Sequence, residues 1–478
     1  MVKTALGGEL PAPVVLGRVA GAWRLAALAL DPVNALDLYF APVGRAIEIT
    51  RTGKGPRRLM FMYDPEYNRR FLLNTKAMQT SGLWPLSARP GSAQTILRAH
   101  PLKTSGAEHA NFNTLIDPYF DRTAVNARYG DIRAQIVAQV EQWQGGVHDI
   151  YQLARRCTES VSFSLLFGAE ESARFAAFGD LLHDYHRAVW TRSAQGFPFD
   201  LPGTPYRRAL RRADAVLAFA YAWMQEAAPD GSVLSRLASA TDASGCPYSN
   251  QKIAAATAMI SWLSYETMAT ALSWAVMLLG LHPAILADLV DELSAQAAVE
   301  DIDHNALMAL PVLDAVIKEA MRLITPVPLV SFRMAEDGEI AGEWFARGSR
   351  FYVAPHLTHR LPELYPAPDR FRPGRWSTIR PSAYEYMPFG AGQRRCPGAA
   401  LATVTLKLTL AAMLSRFHIS SPAGARYERM YAVVTMPRNT IPIELTPRGQ
   451  PAPARRDGSQ SGSIFDLFTP EPGRAVGG

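Results

Sequence analysis

The chain has 478 residues, 48% hydrophobic and 19% charged, with a formal net charge of +6 and a pI near 9.2. That balance excludes a disordered chain, and the lack of basic runs interleaved with aromatics argues against nucleic-acid binding. Three cysteines, Cys157, Cys246 and Cys396, are too few and too odd a set for a disulfide framework, so a reducing, cytoplasmic setting is expected.

Along the chain, the apolar stretch from Val14 to Leu30 is interrupted by Arg18 and Arg24 and does not read as a secretory signal. Strands are expected at Ala46–Ile49 and Arg58–Met62. Helical periodicity predicts Ala134–Gln144, Ile150–Phe167, Ser172–Val189 and Tyr206–Ala227. A longer helix is predicted over Gln251–Gly280. Between Ile253 and Leu281 its only charge is Glu266. A carboxylate at that depth in lipid would cost about 2.5–3.5 kcal/mol, so the segment reads as a helix through a protein centre and not as a membrane span. Helices follow at His282–Ala297 and Val312–Leu323, then a strand pair at Glu339–Ile340 with Phe351–Ala354. Pro and Gly crowd the irregular stretch between Pro362 and Gly398, and a loop of that length is usually functional. A helix at Gly398–Arg416 and a late strand at Ile441–Leu445 complete the pattern. Residues 449–478 read as a disordered tail, leaving one catalytic domain over 1–448, mainly α with small β-sheets.

The run Phe389-Gly390-Ala391-Gly392-Gln393-Arg394-Arg395-Cys396-Pro397-Gly398 carries the strongest chemistry. Two glycines in three residues permit a tight turn with positive φ. A helix begins directly after Cys396, and its N-terminal dipole favours a thiolate. Gly398 lets another group approach the backbone closely. The run resembles the haem-binding loop of the cytochrome P-450 family, which implies that family's fold and a haem b (iron protoporphyrin IX) cofactor. It also implies Cys396 as the metal's thiolate ligand, Phe389 packed against it, and Arg394 bonded to a propionate. A thiolate ligand pushes electron density onto iron and favours O–O cleavage, which is a known property of this family.

Other segments fall in the family's order. Glu319-Ala320-Met321-Arg322 matches Glu-x-x-Arg, and Arg375 of Pro373-Gly374-Arg375-Trp376 is implied as the third member of a buried triad, with Gly374 in place of the usual acid. Ser264-Tyr265-Glu266-Thr267 stands where the family has Gly-x-Glu/Asp-Thr, so Thr267 and Glu266 are implied as the catalytic proton relay. Ser264 and Leu263 are both larger than usual there and bear on the distortion of that helix. Arg333 and His109 are implied as propionate contacts, with Asn113 where an arginine is expected. Phe197–Tyr206 resembles the substrate-side loop of isoprenoid-oxidising members.

The resemblance implies a haem-thiolate monooxygenase of secondary metabolism, acting on an apolar small molecule such as a terpenoid or steroid-like compound. No flavin or iron–sulfur segment is evident, so electrons are expected from a separate ferredoxin or flavodoxin and an NAD(P)H reductase. A haem-thiolate isomerase, a peroxide-driven oxidase and a non-catalytic haem sensor stand as alternatives.

Overall fold

A computed structural model describes residues 12–49, 57–74, 78–80, 91–168, 172–225, 231–340, 343–452 and 459–470. Its centre is the helix Asn250–Leu281, with 25 of its residues buried. Ser249 caps it by accepting the backbone N–H of Lys252 at 3.3 Å. It stops where Pro283 opens the next helix, Pro283–Ser294, at an angle of 110°. A helix apolar on nearly all sides is stable in water only when enclosed. Here Ile150–Phe167 packs along it, and Thr158 Oγ1 donates to the Tyr265 carbonyl at 3.2 Å. Ala399–Arg416 is the one described helix that alone is long and apolar enough to cross a membrane, and most of it is buried against the same core.

A six-stranded sheet runs in the order Val14–Leu16, Ala46–Ile49, Leu59–Met62, Arg350–Val353, Val330–Met334, Met78–Thr80. The two strand regions expected separately are therefore one sheet, because Arg350–Val353 pairs in parallel with Leu59–Met62. Gly338–Ile340 pairs instead with Glu343–Phe345 in a hairpin. The late strand, Pro442–Pro447, lies between Phe417–Ser420 and Gly146–Asp149.

The expected disordered tail needs correction within its described part. Ile464, Leu467 and Phe468 are buried in the main core. Ser461 accepts from the Tyr427 backbone N–H at 2.8 Å, and the Leu467 and Pro470 carbonyls accept from Arg360 and Arg370 at 3.0 and 2.9 Å. Three apolar side chains within five residues offset the ordering entropy that the surrounding composition alone would not. The folded unit thus reaches Pro470 instead of ending at 448.

Around Glu319 the irregular segment is pinned. Its Oε1 accepts from Arg322 Nη2 and Arg375 Nε, both at 2.9 Å, and from the Arg372 backbone N–H at 3.0 Å. Its Oε2 accepts from Arg322 Nε and Trp376 Nε1, both at 3.0 Å. The expected triad is present, and Gly374 leaves it intact.

Candidate functional site

The segment leading to the cysteine is held from beneath. His359 Nε2 accepts the Met387 backbone N–H at 2.8 Å, just before the loop turns. Gly390 and Gly392 both have φ of +67°, and a Cβ on Gly392 would meet the Leu72 carbonyl oxygen at 2.2 Å. Only glycine fits there. The loop closes when the Cys396 N–H donates to the Phe389 carbonyl at 2.8 Å.

Cys396 opens onto a cavity of about 520 Å³ between this loop and the central helix. The other cysteines face elsewhere: Cys157 is buried beside Thr409 Oγ1 at 3.7 Å, and Cys246 is exposed in a turn. The Cys396 sulfur is open to this cavity; desolvation pushes its thiol up, while the Gly398 N–H and Arg395 favour the thiolate. Coordination to a cation would reverse this, since a metal-bound thiol is deprotonated outright.

The structure brings Cys396, Phe389, Gly390, Arg394, Gly398, His109 and Thr267 together on the cavity wall. Arg333 is not among them: it stands exposed on its strand, two residues beyond Ser331, which does line the cavity. Charge comes instead from Arg98 and Lys103, which line the same wall and carry no motif that sequence reasoning could have caught. Asn113, where a cation was expected, lines the same wall. Burial and Arg98 push Lys103 down to about 8. Burial and Arg394 push His109 down to about 4. Burial alone brings Arg394 to about 10, and among the described residues its guanidinium donates to the carbonyls of Leu102, Met78 and Thr104.

Glu266 also departs from expectation. It is fully buried and absent from the cavity wall, with Oε1 accepting from Tyr151 Oη at 2.6 Å and from Thr270 Oγ1 at 3.3 Å. His183 Nδ1 stands 3.8 Å from Oε2. Thr267, one residue on, faces the cavity with its hydroxyl bonded back to the Leu263 carbonyl at 3.1 Å. Ser264 likewise bonds back to Ser261, and the helix runs unbroken through both. The Phe197–Tyr206 segment does not touch the cavity wall.

These residues fit a haem. One thiol faces a large void, and among the described residues no carboxylate lines that void, while arginine, lysine and histidine do. Lys103 and Arg394 make no ion pair among the described residues, an arrangement that suits anionic propionates. A Cβ on Gly398 would stand 3.8 Å from Cys396 Sγ, narrowing the space beside the sulfur.

Comparison with known proteins agrees. The family model described as Cytochrome P450 matches residues 44–444. "Putative cytochrome P450 139" of Mycobacterium tuberculosis is 26% identical over 388 residues, covering 78% of this chain and 89% of that protein. "Beta-amyrin 28-monooxygenase CYP716A378" of Saponaria officinalis is 23% identical over 408 residues, covering 80% of each. Among solved structures, "Retinoic acid bound cyanobacterial CYP120A1" superposes with a TM-score of 0.74 at 23% identity, covering 92% of this chain and 100% of that one.

Proposed function

The chain belongs to the cytochrome P450 family, and we propose that it inserts one atom of O₂ into a C–H or C=C bond of an isoprenoid-like molecule held beneath Thr267. As a member of that family it is a haem-thiolate monooxygenase that takes electrons from outside. Bound haem supplies the oxidising chemistry; the chain's own residues hold it, shape the pocket and manage protons.

We assign Cys396 as the thiolate ligand because it alone of the three cysteines faces the cavity. Arg394, Lys103, Arg98 and His109 would hold the propionates, His109 as a neutral ring at ordinary pH. Thr267 presents a hydroxyl to the cavity and can pass a proton there. Glu266 would serve from behind the helix: its Oε2 has no hydrogen-bond partner among the described residues, which leaves it capacity to exchange a proton with entering water.

The single observation that carries the substrate reading is the wall the central helix presents. Met259, Ile260, Leu263, Met268 and Ala271 line the cavity around Thr267, an apolar surface with few polar anchors. Retinoic acid and beta-amyrin, which two similar proteins are named for, are both isoprenoids, which favours that class. Electrons would come from a separate ferredoxin or flavodoxin with its NAD(P)H reductase, in the cytoplasm.

The test is a binding screen of the ferric protein with sesquiterpenes, diterpenes, steroids, fatty acids and aromatic peptides. Isoprenoids should displace water from the iron and shift its spin state. Tight, spin-shifting binding confined to fatty acids or peptides would overturn the isoprenoid reading.

A further inference from the structure

A second cavity, about 650 Å³, adjoins the first and shares Trp190, Gln195 and Tyr431 with it. Six arginines line it (Arg187, Arg192, Arg208, Arg212, Arg429 and Arg438) against two acids, Asp31 and Asp184. Both acids are already engaged. Asp31 Oδ1 lies 3.0 Å from Arg429 Nη1, and Asp184 Oδ2 lies 3.7 Å from Arg212 Nε.

Three of the arginines form no ion pair among the described residues. Among the described residues Arg187 donates to the carbonyls of Pro437 and Arg438, at 3.1 and 2.6 Å. Arg438 Nε meets the Arg429 carbonyl at 3.4 Å. Arg208 is exposed at the rim and makes no ion pair among the described residues. Guanidiniums gathered around one void repel each other, and an anion among them relieves that repulsion through charge-assisted hydrogen bonds.

The residues that line both cavities also offer a ligand a contact. Trp190 and Tyr431 meet edge to face with centroids 5.9 Å apart. Tyr431 Oη is buried there with no hydrogen-bond partner among the described residues. An unpaired buried hydroxyl costs free energy unless something polar reaches it.

We propose that this arginine-lined vestibule binds the carboxylate of the substrate, whose apolar body passes Trp190 and Tyr431 into the cavity above Cys396. The substrate is an amphiphilic acid, held at its charged end by Arg187, Arg208 and Arg438 and oxidised at a carbon distant from that end. This rests on reading the first cavity as the seat of an apolar molecule.

The test titrates the ferric haem protein with two matched pairs, retinoic acid with its methyl ester and palmitic acid with its methyl ester. Spin-state shift and calorimetry are both read. Each acid that binds should do so at least about fivefold more tightly than its ester, and the difference should shrink at high salt. Arg208→Glu combined with Arg438→Gln should remove the preference by lowering acid affinity to that of the ester, while Arg208→Lys keeps it. Equal affinity for acid and ester overturns the vestibule assignment while leaving the apolar-cavity reading intact. So does an acid preference that survives the double substitution. An acid preference seen only with the palmitate pair overturns the isoprenoid reading and sustains the vestibule. No response to any of the four compounds overturns both.

Discussion

Tyr151 donates its hydroxyl to Glu266 Oε1 at 2.6 Å, reaching from the helix Ile150–Phe167 into the central helix. That bond turns the acid away from the cavity that its neighbour Thr267 faces. The two residues therefore should not fail alike. Thr267→Ala should retain haem and accept electrons, but release reducing equivalents as peroxide, since a positioned proton donor contributes about 10²–10⁴ in rate. Unchanged coupling of NAD(P)H use to product would remove Thr267 from the relay.

Tyr151→Phe should act first on stability. Losing a hydrogen bond to a buried carboxyl costs about 1.5–3 kcal/mol, so Tm should fall while the haem spectrum stays unchanged. A variant as stable as the parent would mean that Glu266 finds another donor.

Glu319 neutralises two arginines that are 0% and 8% exposed, Arg322 and Arg375. Breaking a buried ion pair from one side costs about 3–5 kcal/mol, so Glu319→Gln should express poorly and retain little haem. Full haem retention would show that the backbone carbonyls around Arg322 and Arg375 suffice to hold the segment.

Several buried histidines set the acid limit. Burial pushes His100, His109, His186, His356 and His359 below the usual imidazole range, His109 to about 4 and His186, stacked on Trp262, to about 3. Below pH 6.5 the unfolded chain binds protons that the native one refuses, so stability falls as pH drops from about 6.5 toward 4. His186→Phe should flatten that slope in Tm against pH. A slope unaltered by the substitution would place the acid sensitivity elsewhere.

Arg372 and Arg380, in the segment that leads to the cysteine loop, and Arg395 within that loop are exposed. An acidic electron donor should be steered to that face, and its reduction rate should fall as salt rises. A rate indifferent to ionic strength would count against docking there.

Much of this was legible in the sequence because local signals agreed with the fold. Ile150–Phe167 is bounded as expected: Asp149 accepts the Tyr151 N–H at 3.1 Å, and Gly168 ends the helix at φ +84°. The helix Gly106–Phe120 escaped notice because its apolar residues form no clear stripe and Pro118 lies inside it. The direction of Glu266 was hidden for a related reason. Successive helical residues point about 100° apart, so Glu266 and Thr267 cannot share a face, and a helix apolar all round does not reveal which of them meets the cavity. Arg98 ends the short helix Ala93–Arg98 and Lys103 the 3-10 turn Pro101–Lys103, neither at a fixed spacing to the cysteine, whereas Cys396, Arg394 and the glycines hold theirs within ten residues.

The assignment of Cys396 as the iron's ligand is tested most directly by the spectrum of the reduced protein under carbon monoxide. A strongly red-shifted Soret band is expected from the parent, from Cys157→Ala and from Cys246→Ala, and its loss from Cys396→Ala. A Cys396→Ala protein that keeps the band would contradict the assignment.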